Sequence, residues 1–134
     1  HDAIQKGLVR SCHDMSEGGL AVAVAEMAFA GGLGAQITTD EVGMDILPSR
    51  PGSEIDLSYA TAALLFSESN TRFVVEITPD NVEQFKSTMG DIDTQQLGKV
   101  ISEPLLTIEI GDITVIQSDL MTLKTAWQGT LNWK

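Results

Sequence analysis

The sequence predicts a mixed α/β domain, an α+β or α/β sandwich in which helices cover a sheet. Three observations carry this. Helical periodicity and strand alternation follow one another in the order αβαβ–αβ–αβββ–α. Residues 20–30 are apolar except for Glu26, and a helix apolar on nearly every side is buried on nearly every side. This helix therefore belongs at the centre. Late in the chain, Leu106, Ile108 and Ile110 alternate with Thr107 and Glu109, and Gly111-Asp112 joins them to residues 113–116, the mark of a hairpin.

The elements follow in order. Residues 2–8 suggest a short helix with Ile4 and Leu8 on one face, ended near Gly7. Residues 9–13 read as a strand leading into the polar run His13-Asp14-Met15-Ser16-Glu17-Gly18-Gly19 at the head of the apolar helix. Gly31-Gly32 stops that helix. Leu33, Ala35 and Ile37 then alternate with Gly34, Gln36 and Thr38 in a half-buried strand. Residues 40–54 form a long acidic loop. Asp56 is placed to cap a helix over residues 57–65, with Leu57, Ala60 and Leu64 on one stripe. A strand over residues 73–78 ends at Pro79. Asp80 with Glu83 resembles a capping box before a helix carrying Val82, Phe85 and Met89 on one face, closed by Gly90. Residues 98–101 suggest a strand. Ser118 is placed to cap a last helix with Leu120, Leu123 and Trp127 on one face, and Trp133 carries no function.

A chain of 134 residues fits one domain, residues 1–134, with 43% hydrophobic and 20% charged residues, an ordinary globular balance. The net charge of −11 argues against a nucleic-acid partner, which needs a basic footprint. No run reaches the ~18 apolar residues needed to cross a membrane. The chain opens at His1 rather than Met and without a signal segment, as expected of a fragment or processed product. A single cysteine, Cys12, excludes an internal disulfide and agrees with a reducing, cytoplasmic setting. Its place in a strand predicts an inert core thiol.

Two polar clusters are the candidates for chemistry. The first is residues 13–19. A helix N-terminus with free amides is a generic anion site, and two glycines let another group approach the backbone. Asp14 and Glu17 already place negative charge there, so the residues alone favour a structural cap. Cys12, His13 and Asp14 cannot converge on one metal ion, because adjacent strand residues point to opposite faces. His13 has no partner identifiable in sequence and reads as a structural histidine. The second cluster, Ser67-Glu68-Ser69-Asn70-Thr71-Arg72, suits a hydroxyl-rich or small phosphorylated ligand, or else a turn closed by a Glu68–Arg72 pair. Neither glycine pair matches a P-loop or a dinucleotide fingerprint.

These clusters also carry a family resemblance. His13-Asp-Met-Ser-Glu-Gly-Gly-Leu-Ala-Val-Ala-Val-Ala-Glu-Met27 resembles the His-Asp-x-Ser-Asp/Glu-Gly-Gly-Leu pattern of the phosphoribosylformylglycinamidine synthases. Leu65-Phe-Ser-Glu-Ser-Asn-Thr-Arg-Phe73 resembles their Phe-Ser-Glu-Ser-x-x-Arg signature, and Leu97-Gly-Lys-Val100 their Ile/Leu-Gly-x-Val step. The similarity spans essentially the whole chain and points to the C-terminal domain of such an enzyme. That domain type is shared with aminoimidazole ribonucleotide synthetase, selenophosphate synthetase, thiamine monophosphate kinase and a hydrogenase maturation protein. The Ser-Glu-Gly-Gly form sets it apart from the Thr-Gly-Gly-Gly turn of the aminoimidazole enzyme.

The resemblance implies a three-layer α/β sandwich with a mixed, partly ferredoxin-like sheet. It implies a parent ligase of purine biosynthesis, using ATP and glutamine to convert formylglycinamide ribonucleotide to the amidine. Two tandem halves are expected, with the catalytic histidine, the ATP-binding lysine and the Mg²⁺ carboxylates on N-terminal-type domains. This fragment, lacking those motifs, would be inactive alone. Its partners would be those ATP-binding domains and a glutaminase domain or subunit. Ligand or interdomain-cleft candidates are His13, Asp14, Ser16, Glu17, Gly18, Gly19, Ser67, Glu68, Ser69, Asn70 and Arg72. In the first half of the family's enzymes the second signature contacts substrate. By pseudo-symmetry Glu68, Ser69 and Asn70 would line an auxiliary nucleotide region of the second half, with Asn70 standing where glutamine is common. Alternatives are the same domain of a relative such as selenophosphate synthetase or thiamine monophosphate kinase, and a non-catalytic binding or interaction module.

Overall fold

The computed structural model describes residues 1–39 and 57–129. The expected acidic loop, the Asp56 cap and Trp133 lie outside them. Five helices and six strands alternate in the predicted order among the described residues: α1 (Asp2–Gln5), β1 (Val9–Asp14), α2 (Gly19–Gly31), β2 (Gly34–Thr38), α3 (Leu57–Phe66), β3 (Phe73–Ile77), α4 (Val82–Met89), β4 (Gly98–Ile101), β5 (Leu105–Ile110), β6 (Ile113–Asp119) and α5 (Leu120–Gly129). A 3₁₀ turn, Pro79–Asn81, precedes α4.

The strands form two sheets. β1 and β3 make an antiparallel ribbon, and the second sheet runs β4-β2-β5-β6. β2 and β5 are parallel, while β2–β4 and β5–β6 are antiparallel, so the sheet is mixed as expected. The Gly111-Asp112 connection pairs Ile110 with Ile113, and Gly111 supplies the positive φ of 57° that the tight turn demands.

α2 is the centre of the domain. It packs against α3, α5, β1, β2 and β3. Leu20, Ala21, Ala23, Val24 and Ala28 join Ile37, Leu65, Leu106, Ile108 and Leu120 in one buried cluster. A smaller cluster, Ala3, Leu8 and Phe85, lies between α1 and α4 with Val9, Val75 and Ile77 of the ribbon against it.

Four local expectations change. Ile4 is 56% exposed while Ala3 and Leu8 are buried. α1 is a single turn, and Gly7 at φ 68° breaks the helical phase between Ile4 and Leu8. The Asp80–Glu83 capping box does not form, because the 3₁₀ turn intervenes and Asn81 becomes the α4 cap without a side-chain bond. α5 is capped by Asp119, not Ser118: Asp119 Oδ1 accepts from the Thr122 N–H at 2.9 Å, and Oδ2 accepts from its hydroxyl at 2.6 Å. Those bonds hold the Asp119 carboxyl below its ordinary pKa. Finally, Cys12 is exposed. Among the described residues β1 has a strand neighbour on one side only, and the thiol lines an open cleft.

Candidate functional site

Successive side chains of a strand point to opposite faces. On β1, Cys12 and Asp14 are exposed while Ser11 and His13 are half-buried. The two pairs line different clefts. Cys12 and Asp14 face a cleft of about 720 Å³ with Met15, Ser16 and Glu17, the loop residues Glu68 to Arg72 and Phe73 at the start of β3. Ser11 and His13 face one of about 420 Å³ with Glu26, Phe29, Glu76 and Trp127. The first cleft joins both polar clusters; His13 belongs to the second.

Hydrogen bonds tie the clusters together, one of them at the head of α2. The Gly18 N–H donates to Glu68 Oε1 at 2.9 Å. Gly18 is the N-cap of α2 and has no side chain to cap with. In a capping box a glutamate three residues downstream accepts the cap N–H; here it comes from 50 residues further on. Glu68 also brings negative charge to the positive end of α2. The generic anion position at this helix head is thus filled by the chain's own carboxylate. Glu68→Ala is expected to cost about 1 kcal/mol, the usual cost of a lost cap, with Glu68→Gln costing less because an acceptor remains. Urea unfolding of the two variants checks the order.

The glycine pair serves the same closure. Gly18 and Gly19 have φ of 74° and 62°. A Cβ on Gly19 would sit 2.8 Å from the carbonyl oxygens of Leu65 and Ser67, at the end of α3, and one on Gly18 would run into Val22. The group that approaches the backbone here is the second cluster itself.

Arg72 does not pair with Glu68. Its Nη1 donates to Ser67 Oγ at 3.4 Å, Nη2 lies 3.9 Å from Met15 Sδ, and its carbonyl accepts from the Met15 N–H at 3.0 Å. The i,i+4 spacing makes side chains neighbours on a helix, and α3 ends at Phe66. Arg72 instead fastens the loop to the residue after β1. Ser16, Glu17, Ser69 and Asn70 are exposed at the mouth. A hydrogen bond from the Ser16 side chain holds the Asp14 carboxyl below its ordinary pKa. Sequence reasoning missed Thr71, a β-branched residue at φ 66° whose hydroxyl donates to the Asn70 carbonyl at 2.6 Å. Such a backbone is uncommon and costs about 1–3 kcal/mol, so the surrounding contacts must hold it.

In the second cleft His13 finds the partner that the sequence did not reveal. Its Nδ1 lies 2.7 Å from the Asp14 carbonyl oxygen and its Nε2 2.8 Å from Glu26 Oε2. Both neighbours are acceptors, so the two contacts are satisfied together when the ring carries both protons. The Asp14 carbonyl is the largest cause of its raised pKa; partial burial opposes it and Glu26 adds to it. A raised value means that the pair's stabilisation is complete below the ordinary histidine pKa of about 6.5 and is lost as pH rises through the folded value. The other Glu26 oxygen, Oε1, accepts from Trp127 Nε1 at 2.7 Å. Glu26, the one polar residue inside the apolar helix, was the signal available in sequence.

The fold and the cleft define a mixed α/β domain built on a central helix whose head is closed by a distant glutamate. Residues 1–111 match the family described as AIR synthase related protein, C-terminal domain, and the chain belongs to that family. It is 37% identical over 130 residues to the phosphoribosylformylglycinamidine synthase subunit PurL of Alkaliphilus metalliredigens, covering 96% of this chain and 15% of that protein. It is 33% identical over 131 residues to the same subunit of Lactobacillus helveticus, covering 98% of this chain and 15% of the relative. The chain thus spans about 15% of the length of these curated relatives. Among solved structures, T. maritima PurL complexed with ATP superposes with a TM-score of 0.70 at 23% identity, over 91% of this chain and 20% of that one. PurLQS from Thermotoga maritima gives 0.68 at 24% identity, over 91% and 20%. At that identity the structures establish the shared fold.

Proposed function

We propose that this chain is the C-terminal domain of a phosphoribosylformylglycinamidine synthase, the ATP-dependent ligase of purine biosynthesis that makes the amidine from formylglycinamide ribonucleotide and glutamine. The observation that carries this reading is the 37% identity across 96% of the chain to a PurL subunit. The domain's task is structural completion of the enzyme. Its head cleft faces a neighbouring domain, with Asp14, Ser16, Ser69 and Asn70 as the polar surface offered to it.

The geometry supports an interdomain role over direct phosphate binding. Glu68 occupies the Gly18 N–H, and Asp14 and Glu17 add negative charge beside it. A phosphorylated ligand would have to displace Glu68 first. Among the described residues no group of three or more His, Cys, Asp or Glu could hold a metal ion. On this reading Mg²⁺ and the phosphates of ATP are held by the ATP-binding domains of the parent enzyme. A separate or fused glutaminase completes the assembly.

The direct test supplies ATP, Mg²⁺, glutamine and formylglycinamide ribonucleotide to the isolated chain and to the full enzyme. Amidine is expected only from the latter, and turnover by the chain alone overturns the reading. Within the full enzyme, Arg72→Ala is expected to lower unfolding stability by about 1 kcal/mol, one hydrogen-bonded contact. Substrate KM should stay within about twofold, because no uniform binding is removed.

A further inference from the structure

The second cleft holds a chain of contacts that the proposed function does not use. The Asp14 carbonyl, at the start of the head turn, takes the His13 Nδ1–H; His13 Nε2–H is held by Glu26 on α2; Glu26 holds Trp127 on α5. The Trp127 ring lies 5.7 Å from Phe29, tilted at 50°. The polar groups of this cleft are engaged with one another: on its far wall Glu76 accepts from Ser11 Oγ at 2.9 Å and faces Arg10 Nε at 3.7 Å. A small ligand would find its polar contacts taken. The cleft is built to join parts of the chain.

We propose that His13, Glu26 and Trp127 form a proton-operated latch that ties the C-terminal helix α5 to the turn at the head of α2. The latch follows from the count of protons. The imidazolium has two N–H donors and meets two acceptors. The neutral ring has one. If it keeps the proton on Nδ1, the Nε2 lone pair faces the Glu26 carboxylate at 2.8 Å, and Glu26 must turn away from its place under Trp127. If it keeps the proton on Nε2, the Asp14 carbonyl is released and the turn loosens. The second tautomer leaves the Glu26 and Trp127 contacts in place, so the latch opens through the first, whose Nδ1 proton the Asp14 carbonyl holds at 2.7 Å.

Glu26 faces His13 from α2 and Glu76 lines the cleft from β3, with Arg10 beside Glu76. The Asp14 carboxylate lies 3.6 Å from Nδ1 on His13's own strand. α5 contributes Trp127 and no charged side chain to the lining. Two carboxylates next to His13 against one distant guanidinium favour the closed, protonated latch. Opening is therefore expected as pH rises past the ordinary histidine pKa.

Hydrogen exchange of the full-length protein, followed by mass spectrometry and corrected for the intrinsic pH dependence of exchange, reads the latch at α5. Between about pH 5.5 and about pH 9, bracketing the histidine range, α5 protection in the wild type should fall about three- to tenfold, the size of one lost hydrogen bond. Glu26→Gln and His13→Gln should give α5 low protection that no longer changes with pH. Trp127→Phe keeps the ring against Phe29 and removes the N–H, so it should lower α5 protection while leaving β5 protection intact. The idea fails if wild-type α5 protection is flat with pH, or if the pH step survives in Glu26→Gln. Should Glu26→Gln misfold, Trp127→Phe still decides the matter, since a retained pH step of wild-type size there overturns the latch. None of these readouts depends on the ligase reading.

Discussion

Alanine at Gly19 is expected to cost the domain about 2–5 kcal/mol. About 1–2 kcal/mol comes from holding a Cβ-bearing residue in the left-handed region, and about 1–3 kcal/mol from forcing packed atoms apart. The second part arises because the new Cβ would lie 2.8 Å from two carbonyl oxygens, those of Leu65 and Ser67. Backbone at the end of a helix cannot rotate away as a side-chain tip can. The variant must either move α3 or unwind the first residue of α2, and both break the Gly18–Glu68 bond. Gly32→Ala is the natural comparison. Gly32 has a similar φ of 70°, but its Cβ would meet nothing within 4 Å. It should lose only the conformational part. Urea unfolding separates the two: the midpoint should drop much further for Gly19→Ala, with the slope unchanged. Equal losses in the two variants would mean that the closure of α3 onto α2 contributes nothing.

The central helix was legible because its signal is one-dimensional. Eleven residues with a single polar member leave few alternatives to burial, and Gly31-Gly32 marks the end without reference to any other part of the chain. The β5–β6 hairpin was legible for the same reason, since alternation and a Gly-Asp turn are local. What failed was also instructive. The Asp80–Glu83 capping box obeys the right spacing, yet Pro79 favours a 3₁₀ turn that moves the cap by one residue. Ser118 and Asp119 are adjacent capping residues, and β6 runs through both before α5 begins. Cys12 looked like core because strand alternation says which residues share a face, not which face is covered.

The candidate site was legible in its members but not in its wiring. Both polar clusters do meet in one cleft. The partner of Glu68, however, is a backbone N–H on the other cluster rather than Arg72 four residues away. Contacts between residues 13 and 26, or 26 and 127, depend on helix phase and on the docking of α5, which no local pattern encodes. A titratable residue alone on an apolar helix is a useful exception: even half-buried, Glu26 needs partners, and it has two.

The second large effect is expected at Ile108. It is fully buried, at 0% exposure, in the middle of β5. Its neighbours across the sheet are Ile37 on the parallel side and Ile116 on the antiparallel side. A cavity there has walls on two strands and on the helix layer, all held by ladder hydrogen bonds, so the site cannot collapse to fill it. Ile108→Ala should therefore fall toward the upper part of the usual range of about 2–5 kcal/mol, while Ile108→Val should cost about 0.5–1.5 kcal/mol. Ile113, 56% exposed on the neighbouring strand, provides the contrast, since exposed substitutions usually stay within about 0.5 kcal/mol. Denaturant midpoints of Ile108→Ala, Ile108→Val and Ile113→Ala test the order. Because Ile108 lines neither cleft, the folded fraction of Ile108→Ala should keep the Glu26–Trp127 contact and its pH response. A loss of stability accompanied by an altered α5 response would mean that the sheet and the latch are one cooperative unit, and that the core beneath α2 sets the position of α5 as firmly as the Glu26 hydrogen bonds do.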